Sequence, residues 1–164
     1  MVNGAHHLYA SEVSVLNLRD ELDALTKSLD EAKVPYAVCG ALALAIHGHP
    51  RATKDIDLVV DAIHLDATKA VARTHGFVLE ALPMTFSTSG ITIHRLSRIV
   101  AAQILTLDLV IGDGPLAAVW ATRERLETPR GPVWVVSRQG LITMKLAAGR
   151  PQDLADLARL EGSA

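Results

Sequence analysis

The sequence predicts an α/β or α+β fold in which a central mixed β-sheet is flanked by helices. Short apolar or alternating runs such as "DIDLVVD", "ITIHRL" and "ILTLDLVIG" read as strands. Stretches with apolar residues at helical spacing lie around them, bounded by glycine, proline and capping residues. At 164 residues, 49% of them hydrophobic and with no repeat or linker, the chain suits one domain around one core. It divides into an N-terminal helix at 11–33, a sheet-bearing core at 34–136 and C-terminal helices at 137–160.

In order along the chain, Val13, Leu18, Leu22, Leu25 and Leu29 mark an amphipathic first helix, with Asp23 and Lys27 as a favourable i,i+4 pair. "VPYAV" (34–38) is a short strand opened by Pro35, which suits an edge strand or a first position, and Gly40 closes it. "ALALAIH" is a short helix ended by Gly48, and "DIDLVVD" is the next strand. "LDATKAVARTHG" reads as a helix ending at Gly76, before the strand "FVLEAL". "ITIHRL" and "ILTLDLVIG" are consecutive strands joined by either a hairpin or a longer excursion. "GPLAAVWATRERL" reads as a helix and "VWVV" as a last strand. Ser137 then caps "RQGLITMKLAAG", and Pro151 opens "PQDLADLARL".

Composition excludes several classes of function. A formal charge of −2 argues against holding nucleic acid by charge alone, and 4% aromatic residues argue against base-stacking platforms. No apolar run approaches a membrane span, and the N-terminus lacks a secretion signal, so a cytoplasmic location with no membrane partner is expected. The single cysteine, Cys39, lies in an apolar run and reads as a small core residue.

The informative stretch is "CGALALAIHGHPRATKDIDLVV" (39–60). Residues two apart in a strand share a face, so Asp55 and Asp57 stand together while Ile56, Leu58 and Val60 pack into the core. Two carboxylates held that close repel unless a cation joins them. A later strand divides the same way, with Leu105, Leu107, Leu109 and Ile111 on one face and Thr106 and Asp108 on the other. Three carboxylates without thiolates or paired histidines favour a hard ion, Mg2+ or Mn2+. Upstream, Gly40 and Ala41 sit where a strand turns into a helix, a place suited to a phosphate. Arg51 and Lys54, in the loop "HPRATK", are within reach of the same phosphates. Each signal alone is common; their order points to a nucleoside triphosphate carried on a metal ion.

That order resembles the DNA polymerase β-like nucleotidyltransferase superfamily. Within it, "GALALAIHGHPRATKDIDLVV" together with "KLAAGRPQDLADL" is similar to small bacterial proteins related to the abortive-infection toxins of type IV toxin–antitoxin systems. The resemblance covers residues from about 34 to 160 and implies a nucleotidyltransferase-like fold. It implies that Asp55 and Asp57 bind metal, that Asp108 is the third carboxylate and helps activate the attacking hydroxyl, and that Gly40 and Ala41 form the phosphate turn. Lys145 and Arg150 match basic positions that face the nucleotide or brace the site, and Asp153 matches an acidic position that braces them or takes part in the chemistry. Ala41 departs from the pattern, since many members have serine or a second glycine there.

The activity implied is transfer of a nucleoside monophosphate from a triphosphate to a hydroxyl on RNA, a protein or a small molecule. A toxin–antitoxin partner protein is implied by the resemblance alone. The rival reading is a nucleotide-binding or protein-interaction module without turnover. His47 and His49 read as structural or surface groups; His94 and Arg95 fall on a strand near Asp108 in sequence, where Arg95 reads as an exposed strand charge, with lining of the acceptor side as the alternative, and Trp120 and Trp134 read as core residues.

Overall fold

A computed structural model describes residues 17–162, so Val13 and the first turns of the expected N-terminal helix lie outside the described residues. Helix α1 spans Leu18–Glu31, and the Asn17 side chain caps it by accepting from the N–H groups of Arg19 and Asp20. Leu22, Leu25 and Leu29 are its buried stripe. The expected Asp23–Lys27 pair does not form, because Asp23 accepts instead from Arg19 at 3.0 Å and from Arg130 at 3.0 Å.

Next come β1 (Ala37–Cys39), α2 (Gly40–Ile46), β2 (Asp55–Val60), α3 (Leu65–Thr74), β3 (Leu79–Glu80) and β4 (Met84–Thr85). They are followed by β5 (Thr92–Val100), β6 (Gln103–Ile111), α4 (Ala117–Ala121), β7 (Glu124–Thr128), β8 (Gly131–Val135), α5 (Arg138–Ala148) and α6 (Pro151–Glu161). The strands form one mixed sheet in the order β3-β5-β6-β2-β1-β8-β7, with β4 also pairing β5. β2 runs parallel to β6 and antiparallel to β1, while β1 runs parallel to β8. This is the mixed sheet with flanking helices that the sequence predicts.

Three elements differ from expectation. The helix expected over "GPLAAVWATRERL" stops at Ala121, and Glu124–Thr128 becomes β7, paired antiparallel with β8. Leu126 packs against the core, and the turn to β8 closes through Gly131 at φ 105°. "FVLEAL" forms only the two-residue β3, because Phe77 turns into the core while Leu82 is left in solvent. Pro35 precedes β1 instead of opening it, and β1 is a central strand.

The link between β5 and β6 is a tight hairpin, with Val100 opposite Gln103. Ala101 and Ala102 both have positive φ, 45° and 63°, a combination that favours Asn-Gly and costs an L-residue with a Cβ. Replacing them (Ala101→Asn/Ala102→Gly) is expected to stabilise the fold by about 1 kcal/mol, read as a higher denaturant midpoint at unchanged slope. An unchanged or lower midpoint would contradict this account of the turn.

The alternation in β2 and β6 makes the core. Ile56, Leu58, Val60, Leu105, Leu107 and Leu109 are fully or almost fully buried, together with Leu96 of β5 and the apolar stripe of α1. On the opposite face, Val59 is covered near Gly112 and Trp120, while the aspartate-bearing end remains partly open. Burial of both aliphatic sets fixes the register, since a one-residue slip would put the aspartates in the core.

Candidate active site

Strand register assembles the site. Asp57 lies opposite Asp108 in the β2–β6 pair, Cys39 lies opposite Asp57 across β1–β2, and Arg95 lies opposite Asp108 across β5–β6. Cys39, Asp57, Asp108 and Arg95 therefore form one row over four neighbouring strands. In the next row Asp55 is in register with Thr106, which is in register with Ser97.

Asp55 and Asp57 have no side-chain hydrogen bond or ion pair among the described residues. The Asp57 carboxyl is pushed up from 3.8 to about 7, first by burial and then by the charges of Asp108 and Asp55. Arg150 and Lys145 act in the opposite direction, so the field of both cations reaches Asp57. Burial, and next the charge of Asp57, also raises the Cys39 thiol well above its ordinary value. A neutral, fully enclosed thiol is no nucleophile, which agrees with reading Cys39 as a core residue.

Gly40 begins α2 with φ +65°, and no side chain caps that helix. A Cβ at this position would overlap the Asp57 carboxylate, standing 2.9 Å from its Cγ and 3.0 Å from its Cβ. The glycine thus makes room for Asp57 as well as for the turn. Gly40→Ala is expected to cost about 2 kcal/mol from the left-handed backbone and the overlap, and to displace Asp57. A denaturant midpoint equal to that of the unmodified protein would show that the contact is relieved at no cost. Ala41 is almost completely buried, so its methyl group is packed away and offers no hydroxyl to a ligand.

Asp108 differs from the other two carboxylates. Arg95 donates to both of its oxygens, from Nε and Nη2 at 2.8 Å each. The bond and charge of Asp108 hold the guanidinium firmly protonated. Arg95, expected from sequence as an exposed strand charge, is 43% exposed but paired with Asp108. Alternation places it on the right face, but only the β5–β6 register reveals the partnership.

The basic residues fall into two groups. Lys145 is buried, 2.8 Å from Asp156 and 3.7 Å from Asp153, and Arg51 grips Asp156 through Nε and Nη2 at 2.9 Å each. Arg150 precedes α6 and bonds Asp153 at 2.7 Å, while the Asp153 carboxylate also accepts from the Arg150 N–H. This network, buried at Lys145, Asp153 and Asp156, ties the loop before β2 to α5 and α6 and fixes Lys145 and Arg150, whose charges act on Asp57. Lys54 stands apart from it, exposed in a groove with Leu18, Thr53, Gln103 and Ile104. Sequence reasoning missed Asp156; its only signal is an acidic residue about one helical turn after Asp153.

His47 bonds the Val136 carbonyl at 2.8 Å through Nε2, and Trp120 and Trp134 pack against the core, in agreement with their structural readings. Arg123 stacks over Trp120 at 3.9 Å from the ring centre.

No family model and no curated protein matches this sequence. Solved structures do match. A protein of Thermotoga maritima assigned as a nucleotidyltransferase aligns over 92% of this chain and 98% of its own at 18% identity, with a TM-score of 0.59. The lincosamide antibiotic adenylyltransferase LnuA, solved with lincomycin bound, aligns over 88% and 97% at 14% identity, with a TM-score of 0.58. The chain has the nucleotidyltransferase fold. ANT(2'')-Ia in complex with adenylyl-2''-tobramycin is a further neighbour, at 16% identity over 85% and 84% of the two chains and a TM-score of 0.54. In this nucleotidyltransferase fold, the row from Cys39 to Arg95 lies on the sheet face beside the β1–α2 turn.

Proposed function

We propose that this chain is a nucleotidyltransferase that moves a nucleoside monophosphate from a nucleoside triphosphate to a hydroxyl acceptor, releasing pyrophosphate, with Mg2+ or Mn2+ as cofactor. The observation that carries the reading is the pair Asp57 and Asp108 in register, with Asp55 on the same face and Gly40 against Asp57. Carboxylate oxygens are the donors that a hard divalent ion takes, and Asp55 and Asp57 have no protein partner among the described residues. Asp55 and Asp57 would hold the metal, with Asp108 as its third carboxylate. When bound, a divalent ion supplies charge neutralisation to the triphosphate and Lewis-acid stabilisation of the reacting oxygens.

The chain's own groups do the rest. The Gly40–Ala41 turn offers backbone N–H groups to phosphate, and Lys145 and Arg150 add positive charge on the leaving-group side. Lys54 and Arg51 belong to the same proposed nucleotide set; Arg51 acts through Asp156 and Lys145, and Lys54 is open to direct contact. Asp153 holds Arg150 in place. Asp108 orients the acceptor hydroxyl and takes its proton.

The antibiotic adenylyltransferases among the neighbours, together with the net charge of −2, favour a small-molecule acceptor over tRNA. The resemblance to toxin–antitoxin proteins makes a partner protein the alternative. A second reading, a nucleotide-binding or interaction module without turnover, draws on the Arg95 grip on Asp108 and on the buried Ala41.

Incubation with each α-labelled nucleoside triphosphate, Mg2+ and cell extract separates the two. Transfer of label that disappears in Asp55→Ala/Asp57→Ala supports the enzyme. Saturable nucleotide binding without any labelled product would favour the module.

A further inference from the structure

Among the described residues, no three His, Cys, Asp or Glu side chains stand close enough to hold a metal ion together. Asp108, the third carboxylate of the row, is already engaged: both of its oxygens accept from Arg95. A guanidinium there places positive charge where a divalent ion would have to arrive.

The two partners are unequally buried. The Asp108 side chain is 8% exposed and lies in the middle of β6, whereas the Arg95 side chain is 43% exposed. Arginine can swing its head into solvent and keep its stem on the sheet, but the aspartate cannot follow. Without Arg95, Asp108 would lie in register with Asp57 as a third uncompensated carboxylate beside Asp55 and Asp57. The ion pair thus compensates Asp108 in the ligand-free protein.

Resting on the nucleotidyltransferase reading, we propose that Arg95 is a displaceable counter-ion: it keeps Asp108 from binding metal until a metal–nucleotide complex competes for that carboxylate, and it then leaves for solvent. Arg95 is a positioning residue in this account, acting through Asp108. The site passes from a two-carboxylate to a three-carboxylate state only when the cargo that completes it has arrived.

The test is Mn2+ binding to the nucleotide-free full chain, followed by the electron paramagnetic resonance signal of free Mn2+. Arg95→Gln is expected to bind Mn2+ about tenfold more tightly than the unmodified protein, and the gain is expected to vanish when Asp108→Asn is added. Should Arg95→Gln fail to fold, Arg95→Lys loses the two-pronged grip while keeping a charge, and is expected to tighten binding about threefold. Equal affinities with and without Arg95 would overturn the proposal, as would a gain that persists with Asp108→Asn and so reflects only net charge. Mn2+ binding that is unaffected by Asp55→Asn/Asp57→Asn, or absent from every protein, would instead overturn the metal site itself, and the counter-ion role with it.

Discussion

Asp57→Asn is expected to reduce nucleotidyl transfer about a thousandfold or more and, at the same time, to make the fold more stable. The loss follows because the variant removes a charged oxygen donor from the centre of the proposed metal set while leaving the side chain the same size. The gain follows from the sign of the Asp57 shift. Its folded value near 7 lies above the ordinary 3.8, so the folded state prefers the protonated acid. The stability this group contributes is fully present below about pH 3.8 and is lost as pH rises through 7.

Above pH 7 the ionised carboxylate would then cost the ligand-free protein up to about 4 kcal/mol, a cost that the neutral amide avoids. Thermal melts at pH 4 and pH 8 measure it: the variant should gain at pH 8 and little at pH 4. Mg2+ should stabilise the unmodified protein at pH 8 and have much less effect on the variant. A variant less stable than the parent at pH 8 would mean that Asp57 is satisfied within the fold.

The second large effect is expected at Asp156. Burial alone would raise its carboxyl, but hydrogen bonds from Arg51 and Lys145 more than offset this and lower it from 3.8 to about 2. Asp156→Ala leaves Lys145 buried with only Asp153, at 3.7 Å, and leaves Arg51 without its carboxylate. Breaking a buried pair on one side costs about 3–5 kcal/mol, so the variant should unfold at a much lower denaturant concentration.

Acid provides an independent check on the same network. A depressed carboxylate contributes stability above its unfolded value and loses it as pH falls through its folded value. About 2 kcal/mol should therefore disappear between pH 3.8 and pH 2 in the parent and be absent from the variant's pH profile. Identical acid profiles would place the acid-labile interaction elsewhere. Transfer activity should fall as well, because the network holds Lys145 and Arg150, whose positive charges act on Asp57.

Much of the fold could be read from local pattern. The alternation in "DIDLVV" and "ILTLDLVI" placed the aspartates on one face and the aliphatic side chains in the core, and burial follows that division. Ser137 and Pro151 marked the starts of α5 and α6 correctly. β7 was illegible because "ERLET" carries helix-forming residues, and only pairing with β8 makes it a strand. The Arg95–Asp108 pair and the Arg51–Asp156–Lys145 network link residues brought together by strand register or helix packing, which no spacing along the chain encodes. What could be read in the site was therefore the set of chemical groups; what could not was which of them hold one another before a ligand arrives.

The most direct test follows two labels at once. The protein is incubated with Mg2+, acceptor-containing extract and the accepted nucleoside triphosphate labelled at the α- or at the γ-phosphorus. The account predicts α-label on the acceptor and γ-label in pyrophosphate, with both products lost in Asp57→Asn. Transfer of γ-label to the acceptor, or α-label transfer at the parent's rate by Asp57→Asn, would contradict it.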